Sequence, residues 1–233
     1  MVQFNTLNSI IDDLMLSIRN GHVAETENIS RLQVEQWVHT YRALLIKQDI
    51  DKDGDINPEY VQHIDGLQLQ VVQESEFEKG TAGCFLLETI DRLPKLLDLN
   101  HRDSLLSITD MYGNLIQLGS RTKAKYQSSR KYTCNDYIAF IKNNRLRLEG
   151  PNMIEYVNIA ILADNPLEVP ECGSYDKPYP MPTDKIPVLK ELIFQKELGI
   201  RLQMRSDMSN DSQDDLTLDR ANPVPTRTTR SAA

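Results

Sequence analysis

The sequence is short of cysteine and histidine, and each scarcity removes a class of function. Its three cysteines, Cys84, Cys134 and Cys172, stand 50 and 38 residues apart. That spacing makes neither a CxxC metal clip nor the dense framework of a small secreted domain, so they read as reduced thiols of a chain made in a cytosol. The four histidines, His22, His39, His63 and His101, form no HxxxH or HxE pattern, which excludes the common zinc signatures. The Gly80-Thr-Ala-Gly83 turn has no Walker lysine and no GxGxxG spacing, and no GxSxG elbow occurs anywhere. No apolar run approaches the roughly 18 residues that a membrane span requires, and the opening MVQFNTLNSIIDDLM lacks a basic region followed by a continuous apolar one. The paired acids Asp12 and Asp13 fall on the polar side of a helical pattern, where carboxylates face water. The expectation is a chain without catalytic residues, cofactor, metal or membrane partner.

Positive charge is also in deficit. Lys and Arg number 26 against 34 Asp and Glu, a net charge of -8, which argues against the whole molecule coating nucleic acid or an anionic membrane. What the sequence does contain is ordinary globular material: 40% hydrophobic and 26% charged residues, with 9 Tyr and 5 Phe over 233 residues. Such a composition excludes global disorder and allows one large domain or two small ones.

Leu7, Ile10, Ile11, Leu14 and Ile18 make one apolar stripe, with Gly21 as a stop, and predict a first helix. Ser30-x-x-Gln33 has capping-box form, Ile29 and Val34 sit as a hydrophobic staple, and Val34, Trp37, Val38, Tyr41 and Leu45 continue a stripe; a second helix is predicted over 30–48. Trp37 and Tyr41 read as core on that stripe. Asn57-Pro58-Glu59 supplies a cap, a first-turn proline and an acid, and predicts a short third helix through Tyr60, Val61 and Ile64. Beyond Gly66 the period turns alternating, as in LQLQVV. Two hairpins are predicted, at 105–118 around Gly113-Asn114 and at 137–150 around Asn143-Asn144, with a further strand in 153–166. FLLETI within 84–99 fits a helix or a buried strand equally.

Six prolines between Pro166 and Pro187 predict a strap along a surface, and Ile186, Leu189, Leu192, Ile193 and Leu198 predict a last helix over 184–203. The fold expected is therefore α+β: a helical bundle built from the N-terminal helices and a C-terminal helix, an inserted mostly antiparallel β-domain, and an extended C-terminal tail. Its segments would be 1–66, 67–165, 166–183, 184–206 and 207–233.

Two stretches carry a candidate chemistry. Asp49-Ile-Asp51-Lys-Asp53-Gly54-Asp55-Ile56 opens as an EF-hand loop does, with oxygens at alternate positions, a turn glycine and then an apolar residue. Tyr60 stands where the closing Glu belongs, however, and the same residues suit a plain acidic turn. A calcium-binding helix-loop-helix module at 49–60 is one alternative. The second stretch, 121–132, holds Arg121, Lys123, Lys125, Arg130 and Lys131 with Tyr126 and Tyr132 interleaved. Such a basic loop suits phosphates and stacked bases, or an acidic protein neighbour. Finally, ANPVPTRTTRSAA at the C-terminus cannot bury enough apolar surface to fold alone, and such segments order on a partner.

NSIIDDLMLSIRN and ISRLQVEQWVHTYRALLIKQDIDKDGDINPEYVQHI resemble the N-terminal helical hairpin of connector ring proteins of crAss-like phages of gut Bacteroidales. YPMPTDKIPVLKELIFQKELGI, followed by SDMSNDSQDD, is similar to their closing helix and acid-rich linker. The resemblance covers a little under half of the chain, at both ends. It implies a structural virion protein at the head-to-tail junction, directly below the portal, in a twelve-fold ring that lines the DNA conduit, with further tail proteins beneath. It also implies a tail that reaches onto neighbouring proteins, a role falling here on Arg220, Pro223, Pro225, Arg227 and Arg230.

Overall fold

A computed structural model describes residues 5–18, 29–73, 84–100, 102–127, 132, 136–170 and 172–198. The chain divides into two units, residues 1–186 and 187–233.

In the first unit, α1 (Leu7–Ile18) buries Leu7, Ile10, Ile11, Leu14 and Met15, the predicted stripe almost residue for residue. It packs on α2 (Arg31–Asp53), which the Ser30 hydroxyl caps by accepting from the Gln33 amide. Arg31 ties the two helices together at their polar edge through Asp12, at 2.6 Å. Helix α2 runs five residues past the expected end at residue 48. Gly54, at φ +77°, stops it with its amide bonded back to Ile50, a left-handed cap that glycine adopts without Cβ strain.

The Asn57 cap and Pro58 start a single 3-10 turn, Pro58–Tyr60, and it does not extend into a third helix. The reason is tertiary: the residues that would continue it belong to β1 (Gln62–Val71), which pairs antiparallel with β7 (Tyr156–Ile161) and with β2 (Phe85–Thr89). Strand pairing outweighs the local helix signal. The remaining strands are β3 (Leu105–Asp110), β4 (Gln117–Leu118), β5 (Ile138–Lys142) and β6 (Arg145–Gly150), in the order β3-β7-β1-β2-β6-β5-β4. Every strand pair but β4 with β5 is antiparallel. FLLETI is thus a strand.

The sheet's two ends, β3 and β4, are consecutive in sequence and meet across a turn. A Thr109–Leu115 bridge and an Ile116 amide donating to Ile108 O at 2.8 Å nearly close the seven strands into a barrel. Inside lie Ile64, Leu69, Leu87, Ile108, Leu146, Leu148, Val157 and Ile159. Burying each such side chain contributes roughly 1.5–3 kcal/mol. Outside the sheet, α3 (Arg121–Gln127) lies against β5, with Ala124 packed against Leu86, Ile138 and Phe140. Asn143 and Asn144, at φ 55° and 58°, make the two-residue turn between β5 and β6 that the sequence announces.

The expected architecture is therefore corrected. The protein is a mixed α/β fold with a nearly closed seven-stranded barrel-like sheet and few helices, not a helical bundle carrying an inserted β-domain. The predicted last helix is α4 (Lys185–Ile193), followed by a π-helical turn, Phe194–Leu198, that ends the described part of the second unit.

Candidate functional site

The central buried group of the first unit is a cation. Arg42 occupies the stripe of α2 between Val38 and Leu45, is 0% exposed, and has no carboxylate partner among its hydrogen bonds. Its Nε donates to Pro180 O at 3.0 Å, Nη1 to Ala163 O at 3.0 Å and Nη2 to Tyr60 O at 3.4 Å. The guanidinium carbon also lies 5.8 Å from the centre of the Tyr179 ring. One side chain thus joins the helix to the start of β1, the end of β7 and the proline-rich segment. Burial pulls its pKa down, and the neighbouring Tyr179 and Tyr60 oppose that pull. The planar fork suits the task because it places donors in three directions.

The proline-rich segment is fastened along the same face. Tyr179 N donates to Asn5 O at 2.7 Å, Asn8 N to Tyr175 O at 3.1 Å, and the Tyr175 hydroxyl reaches Glu35 at 3.2 Å. The Tyr179 hydroxyl and His39 Nδ1 share a 2.9 Å hydrogen bond. His39 Nε2 stands 3.7 Å from Glu35, a charge pairing only if the ring is protonated, and burial lowers its pKa despite that carboxylate. Burial raises the Tyr179 phenol's pKa, against the pull of the Arg42 charge. This arrangement clamps segments together.

The acidic stretch 49–55 is not an EF-hand loop. Asp49, Asp51 and Asp53 belong to the last turns of α2, and Asp49 is already committed: Oδ1 accepts from Lys185 Nζ at 2.6 Å and Oδ2 from the Tyr60 hydroxyl at 2.8 Å. Tyr60, which stands at the closing position, thus donates to the carboxylate that would have been the first ligand. Burial and the Asp49 hydrogen bond raise its pKa, while the same carboxylate raises that of Lys185. Among the described residues no group of three His, Cys, Asp or Glu side chains is placed to hold a metal ion.

Of the basic stretch, 121–127 is helix α3, not a loop, with Lys125 and Tyr126 exposed, and Tyr132 is 87% exposed; Arg130 and Lys131 lie outside the described residues. On that same outer face of the sheet, Glu88 bridges Arg145 at 2.8 Å and Arg147 at 2.7 Å beside a cleft of about 180 Å³ that Arg92 and Lys142 also line. Neither the Arg42 clamp nor this cleft was anticipated from sequence. For Arg42 the signal existed: it stands four residues after Val38 and three before Leu45, at a core position of the stripe.

The β3–β4 turn is built to be rigid and apolar at once. The Asp110 carboxylate accepts from the amides of Tyr112 and Asn114 and from Asn114 Nδ2, each at 2.8 Å, and Gly113 N donates to Asp110 O at 3.1 Å. Gly113 is at φ +85°, where a side chain would be strained. These hydrogen bonds, that from the Asn114 side chain foremost, hold the Asp110 carboxyl below its usual pKa. The turn nevertheless projects Met111, Tyr112 and Leu115 outward, 66%, 91% and 76% exposed. Towards the other end of the seam, β4 is only two residues long, and an opening of about 300 Å³ is lined by Leu96, Leu99, Leu105, Leu118 and Ile141 among others.

The tail residues Arg220, Pro223, Pro225, Arg227 and Arg230 lie outside the described residues. No helix among those described is long and apolar enough to cross a membrane. The family model described as phage tail ring protein 2 matches residues 9–216. A search of curated proteins finds no match.

Proposed function

The chain belongs to the phage tail ring protein 2 family of crAss-like phages, a family of virion ring components, and from that premise we propose a connector whose ring joins portal to tail. The observation that carries this reading is the family match over residues 9–216, which spans helices and barrel alike. A clamp of the Arg42 kind supports it physically. A ring subunit under the load of a packaged genome needs segments distant in sequence fixed to one another, and it needs no active site.

In this reading the portal lies above the ring and further tail proteins below it, with DNA passing through the lumen. The ring is dodecameric, its subunits in head-to-tail contacts that close by rotation. The segment 207–233 reaches onto neighbouring proteins, with Arg220, Arg227 and Arg230 giving charge-assisted hydrogen bonds and Pro223 and Pro225 keeping the arm extended. The segment boundaries 1–66, 67–165, 166–183, 184–206 and 207–233 then separate an N-terminal part that holds both helices and the start of β1, a β-rich part, a strap, a closing helix and an arm.

The test is assembly with the cognate portal, followed by sedimentation and electron microscopy. A stable complex with one ring of this chain per portal ring is expected, weakened when 220–233 is deleted. Persistent failure to bind any portal overturns the connector position.

A further inference from the structure

Large apolar side chains standing together in solvent on a preformed turn are costly unless something covers them. Scattered exposed leucines need no explanation, but here three large side chains fall within five residues, on a turn whose polar backbone is satisfied internally by Asp110. Such a turn loses little conformational entropy on binding, and that makes an efficient anchor. Aromatic and methionine side chains are also what interface cores favour.

Two further observations point to the occupant. The family is one of rings, so each subunit meets copies of itself through two different faces. The same chain carries an opening at the seam, lined by leucines and Ile141 together with Asp98, Arg102, Asp103 and Ser104, near the start of β3, whereas the turn comes after its end. A six-residue strand separates them by roughly 17 Å, at about 3.3 Å per residue. The turn therefore cannot reach the opening of its own copy, but a neighbour's turn can.

Resting on the ring reading, we propose that Met111, Tyr112 and Leu115 of one copy enter the seam opening of the next, against Leu99, Leu105, Leu118 and Ile141. Each copy is then both donor and acceptor, which is the heterologous contact a ring requires. Met111 and Leu115 flank the Tyr112 ring and exclude water from it, while Arg102, Asp98 and Asp103 at the opening form a polar rim.

The experiment uses the full-length chain. A donor variant, Tyr112→Ser with Leu115→Ser, and an acceptor variant, Ile141→Asp, are compared with the unaltered chain by mass photometry and thermal unfolding. Ile141 is 41% exposed, so its replacement leaves the core intact. Each variant is expected to unfold as the unaltered chain does and to form at least tenfold fewer rings. Mixed, they retain one competent contact, the acceptor variant's turn in the donor variant's opening, and are expected to give dimers that neither forms alone. Rings at the unaltered level from either variant, or no dimers on mixing, overturn this contact and leave the ring reading standing. An unaltered chain that forms no rings, either alone or with its portal, overturns the ring reading, and this contact with it.

Discussion

Replacing Arg42 with leucine keeps the bulk of the side chain apolar and removes every donor. Two well-formed hydrogen bonds from a charged donor, at 3.0 Å each, are lost. At about 1.5–3 kcal/mol for each such bond, the gross loss is about 3–6 kcal/mol. The third contact, at 3.4 Å, adds little. Against this, the variant no longer desolvates a cation that lacks a carboxylate hydrogen-bond partner, a relief that offsets about half of the loss. We expect a net destabilisation of about 2–3 kcal/mol, or roughly 4–12 °C in Tm for a protein of this size. Arg42→Lys is the sharper comparison. Lysine keeps the full charge-burial cost with a single nitrogen that cannot serve carbonyls of Pro180, Ala163 and Tyr60 together. It should be at least as destabilising as leucine. Thermal and urea unfolding followed by circular dichroism measure both. A lysine variant that unfolds within about 1 °C of the unaltered protein would refute the argument that the fork geometry, rather than the charge, is what holds these segments.

The buried His39 supplies a pH dependence. Its pKa is lowered from 6.5, so the unfolded chain binds the proton more tightly and stability falls as the pH drops below about 6.5. His39→Gln should flatten that part of the stability curve, and an unchanged slope would show that another group sets it. Because both Asp49 oxygens are occupied, calcium titration should give neither heat nor a rise in Tm; a rise abolished by Asp49→Asn would reverse that conclusion. Asp49→Asn itself should cost about 1 kcal/mol, from a partly exposed ion pair with Lys185 and one hydrogen bond to Tyr60, read from urea unfolding. Asp110→Ala should leave Tm nearly unchanged while loosening the turn, seen as faster hydrogen exchange at the amides of Tyr112 and Asn114.

Local signals in this chain were legible and long-range ones were not. The stripe of α1, the Ser30 cap of α2 and the Asn143-Asn144 turn are fixed by a few neighbouring residues, and each lies where the sequence puts it. The third helix failed because Asn57 and Pro58 signal only how a helical turn starts. Pairing of β1 with β7, almost a hundred residues away, is what draws the chain after Tyr60 into a strand. Closure of the barrel is equally non-local. It depends on β3 and β4 meeting at the edges of a sheet whose order no periodicity encodes. The DxDxDG pattern misled because the same glycine that turns an EF-hand loop also caps a helix in the left-handed conformation. Arg42 was legible as a position and not as a role, since a charged residue on an apolar stripe shows its partners only once Pro180 and Ala163 are brought beside it.

Ring assembly is measured most directly by the mass and shape of the assembled protein. Electron microscopy and mass photometry of the purified chain, alone and with its portal, should show closed rings of a single subunit number. A chain that stays monomeric under both conditions would contradict assembly into a connector ring.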